Sequence, residues 1–146
     1  MKAGIAWIAI GSNIPSRTAN LERLRQALQS DGVRIEASSS VIVTRPSGFT
    51  RQEDFHNQVL RMRAPEPWTP RRWLQHCKKA ELLAGRRESF RWGPRRADAD
   101  ILLLGEHGEV EVHQEDLTIP HLALATRPYL TRLLVELGFS ELIHPR

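Results

Sequence analysis

Residues 5–11, Ile-Ala-Trp-Ile-Ala-Ile-Gly, alternate well enough for a buried strand that runs into the turn Gly11-Ser-Asn13. Leu21, Leu24, Ala27 and Leu28 then recur at helical spacing, and Asp31-Gly32 supplies the stop. Val33 to Thr44 reads as strand material broken at Pro46-Ser-Gly48. Phe55 to Met62 is a second strand, with Leu60 and Met62 on one face and Phe55, Asn57 and Val59 on the other, closed by Pro65 and Pro67. Thr69-Pro70 is an N-cap and first-turn pair for a helix that carries Trp73, Cys77 and Ala80 to about Leu83, with Gly85 as its end. A strand follows from Asp98 to Leu104, then a turn over Gly105–Gly108 into a short strand at 109–112. A last helix lies near Tyr129–Leu137, before Gly138. The order βαββαββα predicts an α+β, ferredoxin-like fold: a mostly antiparallel sheet with flanking helices in a single domain over residues 1–146.

Composition narrows the class. At 146 residues, 40% hydrophobic and 26% charged, the chain is long enough to bury a core without staples. The apolar start behind Lys2 resembles a signal-peptide core, but it ends in a strand-like turn without a convincing cleavage site. One cysteine, Cys77, excludes an internal disulfide framework and suits a reducing cytoplasm. The net charge of +4 rests on arginines, five of which (Arg86, Arg87, Arg91, Arg95, Arg96) crowd around Trp92. Forked guanidinium groups match phosphate oxygens, so nucleotides and nucleic acids both remain open at this level.

Asp98 and Asp100 are the sharpest chemical feature. On a strand, residues two apart project from one face with Cα atoms roughly 6.6 Å apart. Aspartate is poorly suited to strands, and two of them lead here into Ile-Leu-Leu-Leu. Two carboxylates so placed suit magnesium, which takes one or two carboxylates plus phosphate oxygens and water. Arg86 and Arg95, flanking Trp92 between Gly85 and Gly93-Pro94, predict a loop that folds positive charge over a polyphosphate. His121 follows Leu117-Thr-Ile-Pro; a lone histidine is more often structural than functional, but Arg127 close behind raises the chance of a shared phosphate surface, and the sequence leaves both readings open. Phe55 and Asn57 share a strand face and suit a flat heterocycle, though a core Phe beside an edge Asn explains them as well.

Taken together these segments resemble the 6-hydroxymethyl-7,8-dihydropterin pyrophosphokinase family over nearly the whole chain. The markers are Gly11-Ser-Asn13, Thr44-Arg-Pro-Ser-Gly48, Phe55-His-Asn57, Glu81 with Gly85-Arg86, Trp92-Gly-Pro-Arg95, Asp98-Ala-Asp100-Ile101, and Ile119-Pro-His121 with Arg127. The resemblance implies transfer of pyrophosphate from ATP to the pterin hydroxymethyl group, with release of AMP, in folate biosynthesis. It implies two magnesium ions on Asp98 and Asp100, with Arg86 and Arg95 neutralising phosphate charge. Glu81, Trp92, Ile101, Thr118, His121 and Arg127 would line the ATP site. Thr44, Gly48, Phe55, Asn57 and Tyr129 would form the pterin pocket. The implied partners are these small molecules, not nucleic acid or membrane, and the implied state is a cytoplasmic monomer.

The chain departs from the family pattern at several points. Ala97 and Ala99 replace larger residues, Asp116 stands where a basic residue can face ATP, and Leu122 where an aromatic often follows the histidine. The turn after Asn13 reads Ile-Pro-Ser-Arg, and the loop between Arg86 and Trp92 is slightly short. Two rivals stay open on sequence alone: a homologue that binds pterin or nucleotide without catalysis or with altered specificity, and a basic nucleic-acid-binding module.

Overall fold

The computed structural model describes residues 1–14, 16–45, 54–85 and 97–140. Strand β1 (Ala3–Ser12) is apolar on both faces because it is central, hydrogen-bonded to β4 (Phe55–Trp68) on one side and β5 (Asp98–Leu104) on the other. β2 (Arg34–Ser38) lies outside β4, and the short β3 (Ile42–Thr44) pairs with the start of β4. Every pairing is antiparallel, so the order β2-β4-β1-β5 is the split βαβ arrangement expected of an α+β, ferredoxin-like fold.

The period-2 alternation of the strands divides the core in two. On one face Ile8, Ile10, Leu60, Met62 and Ile101 pack against α1 (Arg17–Leu28) and α2 (Pro70–Leu83), through Leu21, Leu24, Leu28, Trp73 and Cys77. On the other, Ile5, Trp7, Val59, Leu102 and Leu103 meet α3 (Pro128–Glu136) through Leu130, Leu133 and Leu134. Two buried indoles are tied to backbone: Trp7 Nε1 on β1 donates to the Gly105 carbonyl at 2.9 Å, and Trp73 Nε1 on α2 to that of Ala3 at 2.9 Å.

Three element boundaries differ from the sequence expectation. β4 passes through Pro65 and Pro67 to Trp68. The ladder to β1 shifts between Ala3–Trp68 and Ile5–Arg63, and β2 pairs no further along β4 than Arg63, so the prolines sit where the ladder needs no N–H. The stretch Val33–Thr44 is two strands. Ser39 interrupts it: its Oγ accepts from Val59 N at 2.9 Å and its carbonyl from Gln58 Nε2 at 2.7 Å, while Ser40 N donates to Glu136 at 2.6 Å. Beyond β5, Gly105 and Gly108 turn the chain at positive φ, and the strand expected at 109–112 forms instead as β6 (Val112–Gln114), paired with β7 (Leu117–Ile119). Val110 N is drawn back to the Leu104 carbonyl at 3.1 Å, which uses up the residues before it as a turn.

Candidate active site

One concave site opens on the α3 face of the sheet, lined by the Gly11 end of β1, the Phe55 end of β4 and the Asp98 end of β5. Its floor is the small side of β1, Ala9 and Gly11. The ladder aligns Gly11 with Asn57 on β4 and with Asp98 on β5, and Ala9 with Val59 and Asp100. Residues opposite each other project to the same face, so Asn57 and the two aspartates stand around the floor. Asp98, Asp100, Phe55, Asn57 and Tyr129 all line this cavity, with Thr44, His121 and Arg127 at its walls.

The amide of Asn57 is oriented by its neighbours. Its Nδ2 donates to Thr44 Oγ1 at 2.7 Å, which turns Oδ1 toward Gly11 and the floor. A Cβ at position 11 would stand 3.1 Å from that oxygen and 3.7 Å from the Phe55 ring, so the glycine keeps the amide and ring close to the floor.

His121 is held twice. Its backbone N–H donates to the Leu102 carbonyl at 3.0 Å, which lays it beside β5, and its Nδ1 accepts from Ala123 N at 3.0 Å, capping the short 3-10 turn Leu122–Ala125. An accepting Nδ1 puts the proton of the neutral ring on Nε2. Burial holds the ring below the usual histidine range, the Arg127 charge pushes the same way, and Asp98 opposes them.

The donor set fits magnesium. Asp98 and Asp100 offer carboxylate oxygens on one half-buried strand face. Magnesium takes one or two carboxylates and completes its shell with water and substrate oxygens; among the described residues no group of three or more His, Cys, Asp or Glu could hold a metal ion.

Other expected site residues lie elsewhere. Glu81 is buried on α2, its Oε2 accepting from Ala99 N at 2.8 Å. Ile101 is buried on the opposite face, among the α1 and α2 contacts, and Thr118 is half-buried on β7 outside the cavity lining. Gly48, Arg86, Trp92 and Arg95 fall outside the described residues. Gly11, Ala9, Arg45 and Ala123 line the cavity without having been singled out as site residues. Gly11 and Arg45 fall inside the motifs Gly11-Ser-Asn13 and Thr44-Arg-Pro-Ser-Gly48, and a glycine inside a strand pattern is a further signal for the first; Ala9 and Ala123 carry none. Asp116 is bound to Arg71, whose guanidinium spans both carboxylate oxygens at 2.6 and 3.0 Å and holds the carboxyl below its ordinary range. Leu122 is 72% exposed.

Comparison with known proteins bears on this arrangement. A family model described as 7,8-dihydro-6-hydroxymethylpterin-pyrophosphokinase matches residues 7–138, from the central strand through α3. The chain is 32% identical over 139 residues to a 2-amino-4-hydroxy-6-hydroxymethyldihydropteridine pyrophosphokinase of Aquifex aeolicus, covering 95% of this chain and 82% of that protein. It is 33% identical over 134 residues to the Bacillus subtilis protein of the same name, covering 91% and 77%. It is also 32% identical over 130 residues to a mitochondrial folate synthesis bifunctional protein of Pisum sativum, covering 89% of this chain but only 24% of that longer one. With the matched stretch running through the floor, both aspartates and the histidine wall, the chain belongs to the 7,8-dihydro-6-hydroxymethylpterin-pyrophosphokinase family.

Proposed function

We propose that the protein transfers the pyrophosphoryl group of ATP to the hydroxymethyl oxygen of 6-hydroxymethyl-7,8-dihydropterin, a step of folate biosynthesis. The bond from that oxygen to the β-phosphorus forms as the bridge between the α- and β-phosphates breaks, so AMP leaves and the hydroxyl proton passes to solvent. The observation that carries this reading is the shared cavity. An amide and two aromatic rings, Asn57, Phe55 and Tyr129, face the same floor as two carboxylates, Asp98 and Asp100.

The division of labour follows from the chemistry of each group. Phe55 and Tyr129 offer faces to a flat bicyclic ring, and Asn57 Oδ1 accepts from a ring N–H once Thr44 has fixed its amide. Asp98 and Asp100 hold magnesium, in our reading two ions, which when bound neutralise the triphosphate and align it for displacement. His121, neutral with its proton on Nε2, and Arg127 donate to phosphate oxygens. Arg86 and Arg95 add positive charge to the transferred group. Donor and acceptor are both highly charged or weakly nucleophilic, so positioning and charge neutralisation supply the acceleration without a covalent intermediate. Among the described residues no helix is long and apolar enough to cross a membrane, and we read the protein as a cytoplasmic monomer acting on these small molecules rather than on nucleic acid.

The test is direct: incubation with ATP, magnesium and the hydroxymethyl pterin should yield AMP. Asp98→Ala and Asp100→Ala should each slow AMP formation on the order of 10²- to 10³-fold. Absence of AMP at high enzyme concentration would overturn the reading. Turnover by both variants at the parent rate would remove the aspartates from it.

A further inference from the structure

Glu81 is a buried carboxylate, 3% exposed, in the last turn of α2. That is an expensive place for it. Burial penalises the charged form, and the carbonyl end of a helix repels negative charge. Its Oε2 accepts from the backbone N–H of Ala99 at 2.8 Å, while the Lys78 ammonium stands 4.0 Å from Oε1. Ala99 is the residue between Asp98 and Asp100, and among the described residues β5 is the last strand of its sheet. An edge strand presents every second N–H away from its neighbour, with no ladder to hold it. At Ala99, Glu81 supplies the acceptor that a further strand would have given.

We propose that Glu81 is a positioning residue: it locks the edge strand at Ala99 and thereby fixes the spacing and direction of the two aspartates for the cation they hold. This rests on the reading of Asp98 and Asp100 as magnesium ligands. The buried Cys77 thiol is pushed upward by its burial first, then by the charges of Glu81 and Asp100. The role runs through the Ala99 backbone N–H. A glutamine would keep the acceptor oxygen, whereas a leucine would fill the space and leave the Ala99 N–H unpaired.

Amide hydrogen exchange at Ala99, followed by NMR, reads the bond itself. Manganese binding in the presence of a non-hydrolysable ATP analogue, followed by the electron-spin signal of free Mn²⁺, reads its consequence without turnover. In the parent and in Glu81→Gln the Ala99 amide should exchange slowly and manganese affinity should agree within a few-fold. In Glu81→Leu the amide should exchange fast and manganese affinity should fall about tenfold or more, the usual effect of freeing a metal ligand's support. Fast exchange at Ala99 in the parent overturns the proposal, and that measurement stands even if the leucine variant does not fold. So does a Glu81→Gln variant that loses manganese while Ala99 stays protected, which would mean that the charge or a direct nucleotide contact matters instead. A parent protein that binds no manganese would sink the metal reading of the aspartates, and the exchange data would remain to judge the strand lock separately.

Discussion

Gly11 carries more of the site than its size suggests, because what matters is the side chain it lacks. A methyl group there would stand 3.1 Å from Asn57 Oδ1, tighter than ordinary contact, and the amide cannot swing away without leaving Thr44. Gly11→Ala should therefore raise the KM for the pterin about tenfold, ~1.4 kcal/mol, while the KM for ATP stays near the parent value. Steady-state kinetics with each substrate varied in turn checks this, and equal effects on both would contradict it. Among residues, those visible in the sequence were the ones whose spacing has geometric meaning. Asp98 and Asp100 share a face because strands have a period of two, and Phe55 with Asn57 follows the same rule. The bond from Asn57 to Thr44 joins residues 13 apart, and no local pattern encodes it.

At the level of elements, local chemistry decided how well boundaries could be read. α2 begins and ends where its sequence says, since Thr69 accepts from Arg72 N at 3.1 Å, Pro70 opens the first turn, and Gly85 takes a positive φ beyond the end. Thr69→Ala should cost about 1 kcal/mol of unfolding free energy, read from urea denaturation, with little change in the slope. A loss below a few tenths would show that the cap is redundant with the packing of Trp73. β4 runs past its prolines for a tertiary reason. A proline ends a strand when its N–H is needed, and only the positions of β1 and β2 show that it is not needed at Pro65 and Pro67. The split between β2 and β3 likewise depends on Gln58, Val59 and Glu136, all distant in sequence from Ser39 and Ser40.

Across the whole molecule, histidines set the acid limit of stability. Burial is the leading cause that holds His56, His76 and His121 below the ordinary histidine range, with Arg17 adding to it at His56. At His76 a 2.6 Å hydrogen bond to the Leu28 carbonyl and the Asp31 charge pull partly the other way. In each case the unfolded chain binds the proton more readily than the folded one. Their contribution is thus complete above the unfolded pKa of about 6.5 and is lost as pH falls through the lower folded values. Glu36 and Asp116 are lowered by arginine partners, chiefly Arg63 and Arg71, and their contribution disappears only further down, below the unfolded carboxylate range of about 4. Melting temperature should be level from pH 8 to about 6.5 and then decline, and His76→Asn should make the first part of that decline shallower. A level melting temperature from pH 7 to 5 would contradict the assignment.

The alignment of Gly11 with Asn57 on one side and Asp98 on the other has a further consequence. The Asn57 amide and the Asp98 carboxylate, the groups proposed to meet the ring and the metal, are held apart by two backbone ladders, each about 4.8 Å wide, so the gap is gauged by peptide hydrogen bonds and hardly at all by what fills the core. Such a gauge tolerates drift. Helices can repack and loops can shorten on either side while the distance between Asn57 and Asp98 stays the same. Some two thirds of the aligned residues differ between this chain and its Aquifex aeolicus relative, and a gap set by peptide hydrogen bonds is a dimension that such change need not retune.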